Sequence, residues 1–138
     1  GCVFYDFFSG SGGIGIEALS RGAKYAYFVE NNKNALECIK KNLTFTKMAD
    51  KATVVSRDVL GAVPFLTQKA DIIFMDPPYA LEGIDQLLEA IVENNLLHED
   101  GYIILERSSN SIVKLPQNLV LWKEKQYKTT TLSFIKKG

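Results

Sequence analysis

The chain has 138 residues, of which 46% are hydrophobic and 23% are charged, and its formal net charge at pH 7 is zero. This length suits one domain with a well-filled core and excludes two, and no apolar run approaches the roughly 20 residues that a membrane-spanning helix requires. The two cysteines and the single histidine show no metal-ligand spacing, so we expect a cytoplasmic protein with reduced thiols and no bound metal. Zero net charge counts against a protein that binds nucleic acid through its overall charge.

The first half of the chain alternates between predicted strands and predicted helices. An apolar strand over residues 3–8 leads into a glycine-rich turn and a helix over residues 14–20, which Gly22 ends as a left-handed cap. A second strand covers residues 25–29. The next helix, over residues 32–47, places an apolar residue at every fourth position, namely Ala35, Ile39 and Leu43.

The same alternation continues through the middle of the chain. Ala52–Ser56 is predicted as the third strand, and Asp58 precedes a short helix near residues 62–66. Ala70–Met75 has the length and composition of a buried fourth strand. A clear helical face then follows, with apolar residues three, four, seven and eight positions apart: Ile84, Leu87, Leu88, Ile91 and Val92.

The last part of the chain has a different pattern. Gly101 is expected to turn the chain into a fifth strand over residues 102–106, with His98 in an exposed turn before it. Leu119–Tyr127 and residues 129–136 then read as two β-rich segments joined by a tight connection. Five alternations followed by a hairpin predict an α/β fold. We expect a doubly wound, Rossmann-like sheet that is mostly parallel, with an antiparallel C-terminal hairpin at its edge.

A glycine fingerprint follows the first predicted strand. Gly10, Gly12 and Gly15 have the spacing of a nucleoside-binding βαβ unit, and Glu30 lies about 20 residues beyond the first of them. Glycines let backbone N–H groups approach a ligand, while an acid at the end of the second strand can accept both ribose hydroxyls. NAD, FAD and S-adenosylmethionine are all compatible with this pattern. Without a ligand, the glycines could form a plain tight turn and Glu30 could be a solvated strand end.

Asp6 favours one of these cofactors, and Asp58 is a candidate contact for the adenine. Asp6, near the end of the first strand, would repel a pyrophosphate but suits an ammonium group or the water around an amino-acid moiety. S-adenosylmethionine has such a cationic amino acid and no phosphate. Asp58, after the third strand, is placed to accept from an adenine amino group, with Val59 or Leu60 against the ring, although a helix N-cap is an equally ordinary use of this residue.

The fourth strand ends in Asp76, Pro77, Pro78 and Tyr79. Each proline fixes its own φ and lacks an N–H, and a residue before proline is held in extended geometry. The segment therefore predicts a rigid rim with a carboxylate, a free carbonyl and a flat aromatic face. These groups suit a planar substrate with an N–H-bearing edge, such as a nucleobase.

These segments together resemble a class I S-adenosylmethionine-dependent methyltransferase, and within that class the RsmD-type family, which methylates the exocyclic N2 of a guanine in 16S ribosomal RNA. The resemblance covers essentially the whole chain. It rests on the run from Asp6 to Gly12, the family-specific segment from Gly15 to Gly22, Glu30, and the motif from Asp76 to Tyr79. The closing hairpin, with Glu124 and Lys125 in its first strand, also fits.

The resemblance also implies roles for individual residues. The methionine end of the cofactor would lie against Asp6, Ser9, Gly10 and Gly12, the ribose against Glu30, and the adenine against Asp58 and Val59. The target base would be held by Asp76, Pro77, Pro78 and Tyr79. The remaining residues that we expect at the cofactor site are Phe8, Ser11, Gly15, Asn31 and Asp76, the last of which would face both the cofactor and the base.

The family further implies ribosomal RNA or a small-subunit particle as substrate, and we expect a monomer without membrane or metal. Family members have a segment before the first strand, which this sequence does not include. An amino methyltransferase acting on another nucleic acid, for instance on adenine N6 of DNA, is the first rival hypothesis. An NAD-dependent oxidoreductase and a catalytically incomplete cofactor-binding domain are the others.

Overall fold

The computed structural model describes residues 1–78 and 83–138. Its strands are Val3–Phe7 (β1), Tyr25–Glu30 (β2), Ala52–Ser56 (β3), Ala70–Met75 (β4), Leu97–Ser108 (β5), Leu119–Tyr127 (β6) and Thr130–Lys137 (β7). Its α-helices are Gly13–Ser20 (α1), Lys33–Phe45 (α2), Val59–Ala62 (α3) and Ile84–Glu93 (α4). Short 3₁₀ turns cover Ala49–Lys51 and Val63–Phe65.

The strands form one sheet in the order β3-β2-β1-β4-β5-β7-β6. The first five strands pair in parallel, whereas β7 lies antiparallel between β5 and β6. The prediction of a mostly parallel, doubly wound sheet with an antiparallel edge is confirmed. The strand order reverses beside β1, and open α/β sheets bind ligands at the carboxyl ends of the strands near such a reversal.

Helices cover both faces of the sheet. Because successive strand residues point to opposite faces, the aromatic side chains of β1 serve two cores. On one face Phe4 joins Phe28 and Ile39 under α1 and α2. On the other face Tyr5 joins the buried side of α4, where Leu87, Leu88 and Ile91 are buried as predicted. No helix in the described part of the chain is long and apolar enough to cross a membrane.

The prediction for the start of β5 was wrong. The strand begins at Leu97, which pairs with Ala70, so His98 is an exposed strand residue and not part of a turn. Gly101 lies inside the strand, where a Cβ would come within 2.9 Å of the carbonyl oxygens of Ala70 and Asp71. The strand pairing is irregular here, and glycine permits this close approach of two backbones. Gly101 is therefore a packing requirement within a strand.

Two predicted helices also differ in their bounds. The second begins at Lys33, since Asn32 is the N-cap and accepts from the N–H of Ala35 at 3.0 Å. The short helix expected near residues 62–66 instead begins at Val59. Its N-cap is Asp58, which accepts from the N–H of Gly61 at 3.3 Å and so starts the helix immediately.

Candidate active site

Four acidic residues lie at the carboxyl edge of the central strands. Phe7 pairs with both Val29 and Met75, and Met75 pairs with Leu105, so the residues that follow these positions lie at one level of the sheet. At this level stand Glu30 from β2, Asp76 after β4 and Glu106 in β5. Asp6 lies two residues deeper in β1, on the same face. This edge is therefore strongly acidic.

Asp6 is the buried member of the group, with 2% of its surface exposed. Its Oδ2 accepts from the N–H of Gly15 at 3.0 Å. The pKa of Asp6 is raised to about 7, mainly by burial; the Gly15 hydrogen bond lowers it in part, and the charges of Glu30 and Asp76 add to the rise. A carboxylate this poorly solvated would be stabilised by a nearby cation.

The loop between β1 and α1 has an unusual backbone conformation. Phe8, Gly10 and Gly12 have φ values of +61°, +56° and +82°. The positive φ of Phe8 ends the strand at Phe7. The partly buried Phe8 side chain packs against the core. Ser9 donates from Oγ to the carbonyl of Asp6 at 2.6 Å, and the N–H of Gly12 donates to the carbonyl of Ser9. The loop is thus tied to the strand beneath it.

Each of the three fingerprint glycines is required for a different physical reason. A Cβ on Gly10 would meet nothing within 4 Å, so this position is open to a ligand. A Cβ on Gly15 would lie 2.3 Å from the ring of Phe28, and one on Gly12 would lie 3.3 Å from Ile39. Close packing of α1 on the sheet therefore explains Gly15. The exposed Ser11 uses its carbonyl to accept from Asn42 at 2.9 Å.

Glu30 organises the neighbouring backbone. Its Oε1 accepts from the N–H of Gly10 at 2.9 Å, and its Oε2 accepts from the N–H groups of Asn31 and Asn32 at 3.1 and 2.9 Å. A carboxylate has about four acceptor positions. Glu30 therefore keeps capacity on Oε1 for a ligand hydroxyl.

The segment after β3 lies further along the same edge. Asp58 is exposed and uses Oδ2 as the N-cap of α3, which leaves Oδ1 available. Val59 is 2% exposed and belongs to the core, whereas Leu60 is 39% exposed. If this segment contacts a ring, Leu60 has the available apolar surface.

Asp76, Pro77 and Pro78 line a cavity of about 350 Å³. Its walls include Ile84 from α4 and Val113 from the loop after β5. Asp76 and Pro78 are exposed at this rim, and Pro77 is half-buried. Tyr79, the last residue of the predicted motif, lies outside the described residues.

The structure brings Glu106 to this cavity, where sequence reasoning had not placed it. It lies beside Asp76, because Met75 pairs with Leu105 and both acidic residues line the cavity. Burial raises the pKa of both groups, and the charge of Asp76 raises that of Glu106 further. The available signal in the sequence was the position of an acid at the end of the fifth predicted strand.

Arg107 fixes the loop that closes the cavity. It donates to the carbonyl of Ser111 at 2.8 Å, to Ser133 Oγ at 3.1 Å and to Glu124 at 2.7 Å. Its hydrogen bond lowers the pKa of Glu124, with a second contribution from Ser133. Glu124 of the hairpin therefore has a definite task, which is to orient the arginine beside the cavity. The described residues contain no cluster of three or more potential metal ligands.

The fold and the strand-end site define the class: the structural neighbours are class I methyltransferases. One of them, described as a putative methylase of Haemophilus influenzae, superposes with a TM-score of 0.88 at 30% identity, covering 99% of this chain and 86% of that one. A family model described as "Conserved hypothetical protein 95" matches residues 1–136. The chain belongs to this family, the RsmD-type family.

Two named relatives are similar over most of the chain. "Putative rRNA methyltransferase YlbH" of Bacillus subtilis is 36% identical over 96% of this chain, which spans 74% of that protein. "Ribosomal RNA small subunit methyltransferase D" of Haemophilus influenzae is 36% identical over 87% of this chain. The match spans 64% of that protein's length.

Proposed function

We propose that this chain transfers a methyl group from S-adenosylmethionine to the exocyclic N2 amine of a guanine in small-subunit ribosomal RNA. The observation that supports this most directly is the position of Asp76 and Pro77. They form the rim of a cavity large enough for a nucleobase, one strand away from the glycine loop and Asp6.

The residues at the strand ends fit S-adenosylmethionine better than a dinucleotide. Gly10 faces open space, and the buried Asp6 beside it favours a cationic ligand over a phosphate. In the proposal Asp6, Ser9, Gly10 and Gly12 hold the methionine end. Glu30 and Asn31 bind the ribose, and the segment at Asp58 and Val59 binds the adenine. Phe8, Ser11 and Gly15 determine the shape of the loop.

The chemistry follows from the weak nucleophilicity of an aromatic amine. When bound, S-adenosylmethionine supplies a methyl group on a sulfonium, whose C–S bond breaks as the new N–C bond forms, leaving a neutral thioether. The Asp76 carboxylate and the Pro77 carbonyl accept the two amine N–H groups and stabilise the positive charge that develops on the nitrogen. The methylated nitrogen then loses one proton to Asp76, which is exposed and can pass it to water.

Alignment supplies most of the rate in this scheme. Up to about 7–11 kcal/mol is available in principle from holding two reacting groups in position. The two prolines make the rim rigid, and the Arg107 network fixes the opposite wall of the cavity. Tyr79 is proposed to stack on the base, an interaction typically worth about 1–3 kcal/mol. A base within a duplex must first be flipped out.

The choice of ribosomal RNA draws on the relatives, two of which are named as rRNA methyltransferases. The choice of guanine N2 draws on the family resemblance of the segment around Glu17 to Gly22. Adenine N6 of DNA or another RNA is the second candidate, because the rim at Asp76 recognises an amino group and not one particular base. We propose that the enzyme acts as a cytoplasmic monomer on RNA or on a small-subunit particle.

The test is methyl transfer from labelled S-adenosylmethionine to three substrates: naked 16S RNA, assembled small subunits and duplex DNA. We expect label in RNA or particles and none in DNA. Asp76→Asn is the control, because it is nearly isosteric but removes the charge that stabilises the nitrogen. Transfer to DNA alone would contradict the proposed substrate, and equal transfer by the variant would contradict the role of Asp76.

A further inference from the structure

The strongest unassigned feature is the contact between the carboxyl groups of Asp76 and Glu106. Parallel pairing of Met75 with Leu105 brings the next residue of each strand side by side. Both side chains line the same cavity, so a hydrogen bond can form between their carboxyl groups when one of them is protonated. The mechanism above uses only Asp76, so the role of its partner is open.

A hydrogen bond between two carboxyl groups requires a proton, because ionised carboxylates are acceptors only. Burial raises the pKa of both groups, and the charge of Asp76 raises that of Glu106 further. Glu106 is therefore the candidate to keep a proton beside Asp76 and to donate it in a hydrogen bond. Such pairs titrate together and hold one proton between them over a range of pH.

Among the described residues, the charged groups around the pair supply no counter-ion to it. Asp6 from β1 is close enough to Asp76 for the charge of Asp76 to raise its pKa, and Asp85 from α4 lines the same cavity. Arg107, the next residue along β5, is engaged with Glu124 and Ser133. The surroundings therefore disfavour a second negative charge on the pair, which supports a shared proton.

We propose that Glu106 is a positioning residue whose protonated carboxyl donates to Asp76 and holds that carboxylate toward the target amine. This inference depends on the proposed function. One oxygen of Asp76 is occupied by Glu106, and the other is left to accept from the amine. When Glu106 ionises, it can no longer donate, the two like charges repel, and Asp76 is no longer held toward the amine.

Two substitutions separate this role from simple packing. Glu106→Gln keeps the size and still donates an N–H to Asp76, but it cannot ionise. Glu106→Ala removes the donor. Glu99→Gln is the matched control, because Glu99 lies near the opposite end of the same strand and contacts only Lys137 among the described ion pairs.

The experiment measures single-turnover methyl transfer to RNA between about pH 5 and pH 9 for all four proteins. In wild type and Glu99→Gln, Glu106 contributes a fall in rate as pH rises. Glu106→Gln should lack this fall and recover most of the rate that Glu106→Ala loses. That loss should be about ten- to a hundredfold, as for a hydrogen bond to a charged group. The titration of Asp6 is common to all four proteins, so differences between the profiles isolate Glu106.

Affinity for S-adenosylhomocysteine should stay within about threefold in every variant, because Glu106 acts on the amine side of the site. The idea is overturned if Glu106→Gln is as slow as Glu106→Ala, or if it retains the wild-type profile. If wild type transfers no methyl group, the proposed function fails. Carboxyl ¹³C NMR can still test whether Asp76 and Glu106 share a proton. Glu106 should then titrate at a lower pH in Asp76→Asn than in wild type; identical titration would refute the shared proton.

Discussion

Replacement of Asp6 by asparagine tests the central electrostatic feature of the site through folding stability. Asp6 is 2% exposed, and burial raises its pKa from the usual 3.8 to about 7. The ionised form is therefore disfavoured in the folded protein. The asparagine side chain would have almost the same shape and could still accept from the N–H of Gly15, but it cannot titrate.

The sign and size of the effect follow from proton linkage. Between the unfolded-state pKa near 3.8 and the folded-state pKa of about 7, the folded protein binds a proton that the unfolded chain does not. The contribution of Asp6 to stability therefore falls as pH rises through this window, and it is constant above it. At about 1.36 kcal/mol for each pKa unit, the total is roughly 4 kcal/mol.

Urea denaturation at about pH 5 and pH 8 measures this contribution. About 2.7 of the roughly 4 kcal/mol is lost between pH 5 and the folded-state pKa of about 7. From pH 5 to pH 8, the free energy of unfolding should therefore fall by about 2.7 kcal/mol more in wild type than in Asp6→Asn. The variant's buried amide N–H costs about 1–3 kcal/mol at either pH, so the difference between the two conditions is the test. Asp50→Asn, which removes an exposed carboxylate, controls for net charge. Equal pH dependence in wild type and Asp6→Asn would refute the reasoning.

Asp76→Ala should abolish methyl transfer while changing calorimetric affinity for S-adenosylhomocysteine by less than about fivefold, since Asp76 serves the amine; equal loss of both would contradict that role. Gly15→Ala should lower the free energy of unfolding by about 1–3 kcal/mol, because its Cβ would lie 2.3 Å from Phe28. Gly13→Ala, with 3.7 Å to the nearest atom, should cost less, and equal costs would refute the packing argument. S-adenosylhomocysteine should raise the Tm and NAD should not; the reverse would mean that the glycine loop is misinterpreted.

The sequence was sufficient for the fold because local patterns and topology agree. Apolar strands alternated with amphipathic helices, and parallel strands joined by helices place their carboxyl ends at one edge. Asp6, Glu30 and Asp76 each lie within, at or just after the carboxyl end of such a strand, so their convergence could be predicted. The helix face at Leu87 and Leu88 was equally clear, since its periodicity is long and regular.

The register of the strands and the packing of individual side chains could not be predicted from the sequence. The Asp76–Glu106 pair depends on how β4 aligns with β5, which no local pattern specifies. Gly101 looked like a turn because glycine serves turns and close strand contacts alike. Gly15 fitted a ligand-binding fingerprint, yet its immediate constraint is the ring of Phe28. In each case the residue type was visible, but its neighbour across the fold was not.

Identification of the methylated nucleoside tests the account most directly. After reaction of small subunits or their RNA with labelled S-adenosylmethionine, the RNA is digested to nucleosides and the labelled product is compared with standards. The account predicts N2-methylguanosine, formed by wild type and absent with Asp76→Ala. Label in N6-methyladenosine would contradict the proposed base, and label in a ring carbon or a ribose oxygen would contradict the proposed grip of Asp76 and Pro77 on an amine.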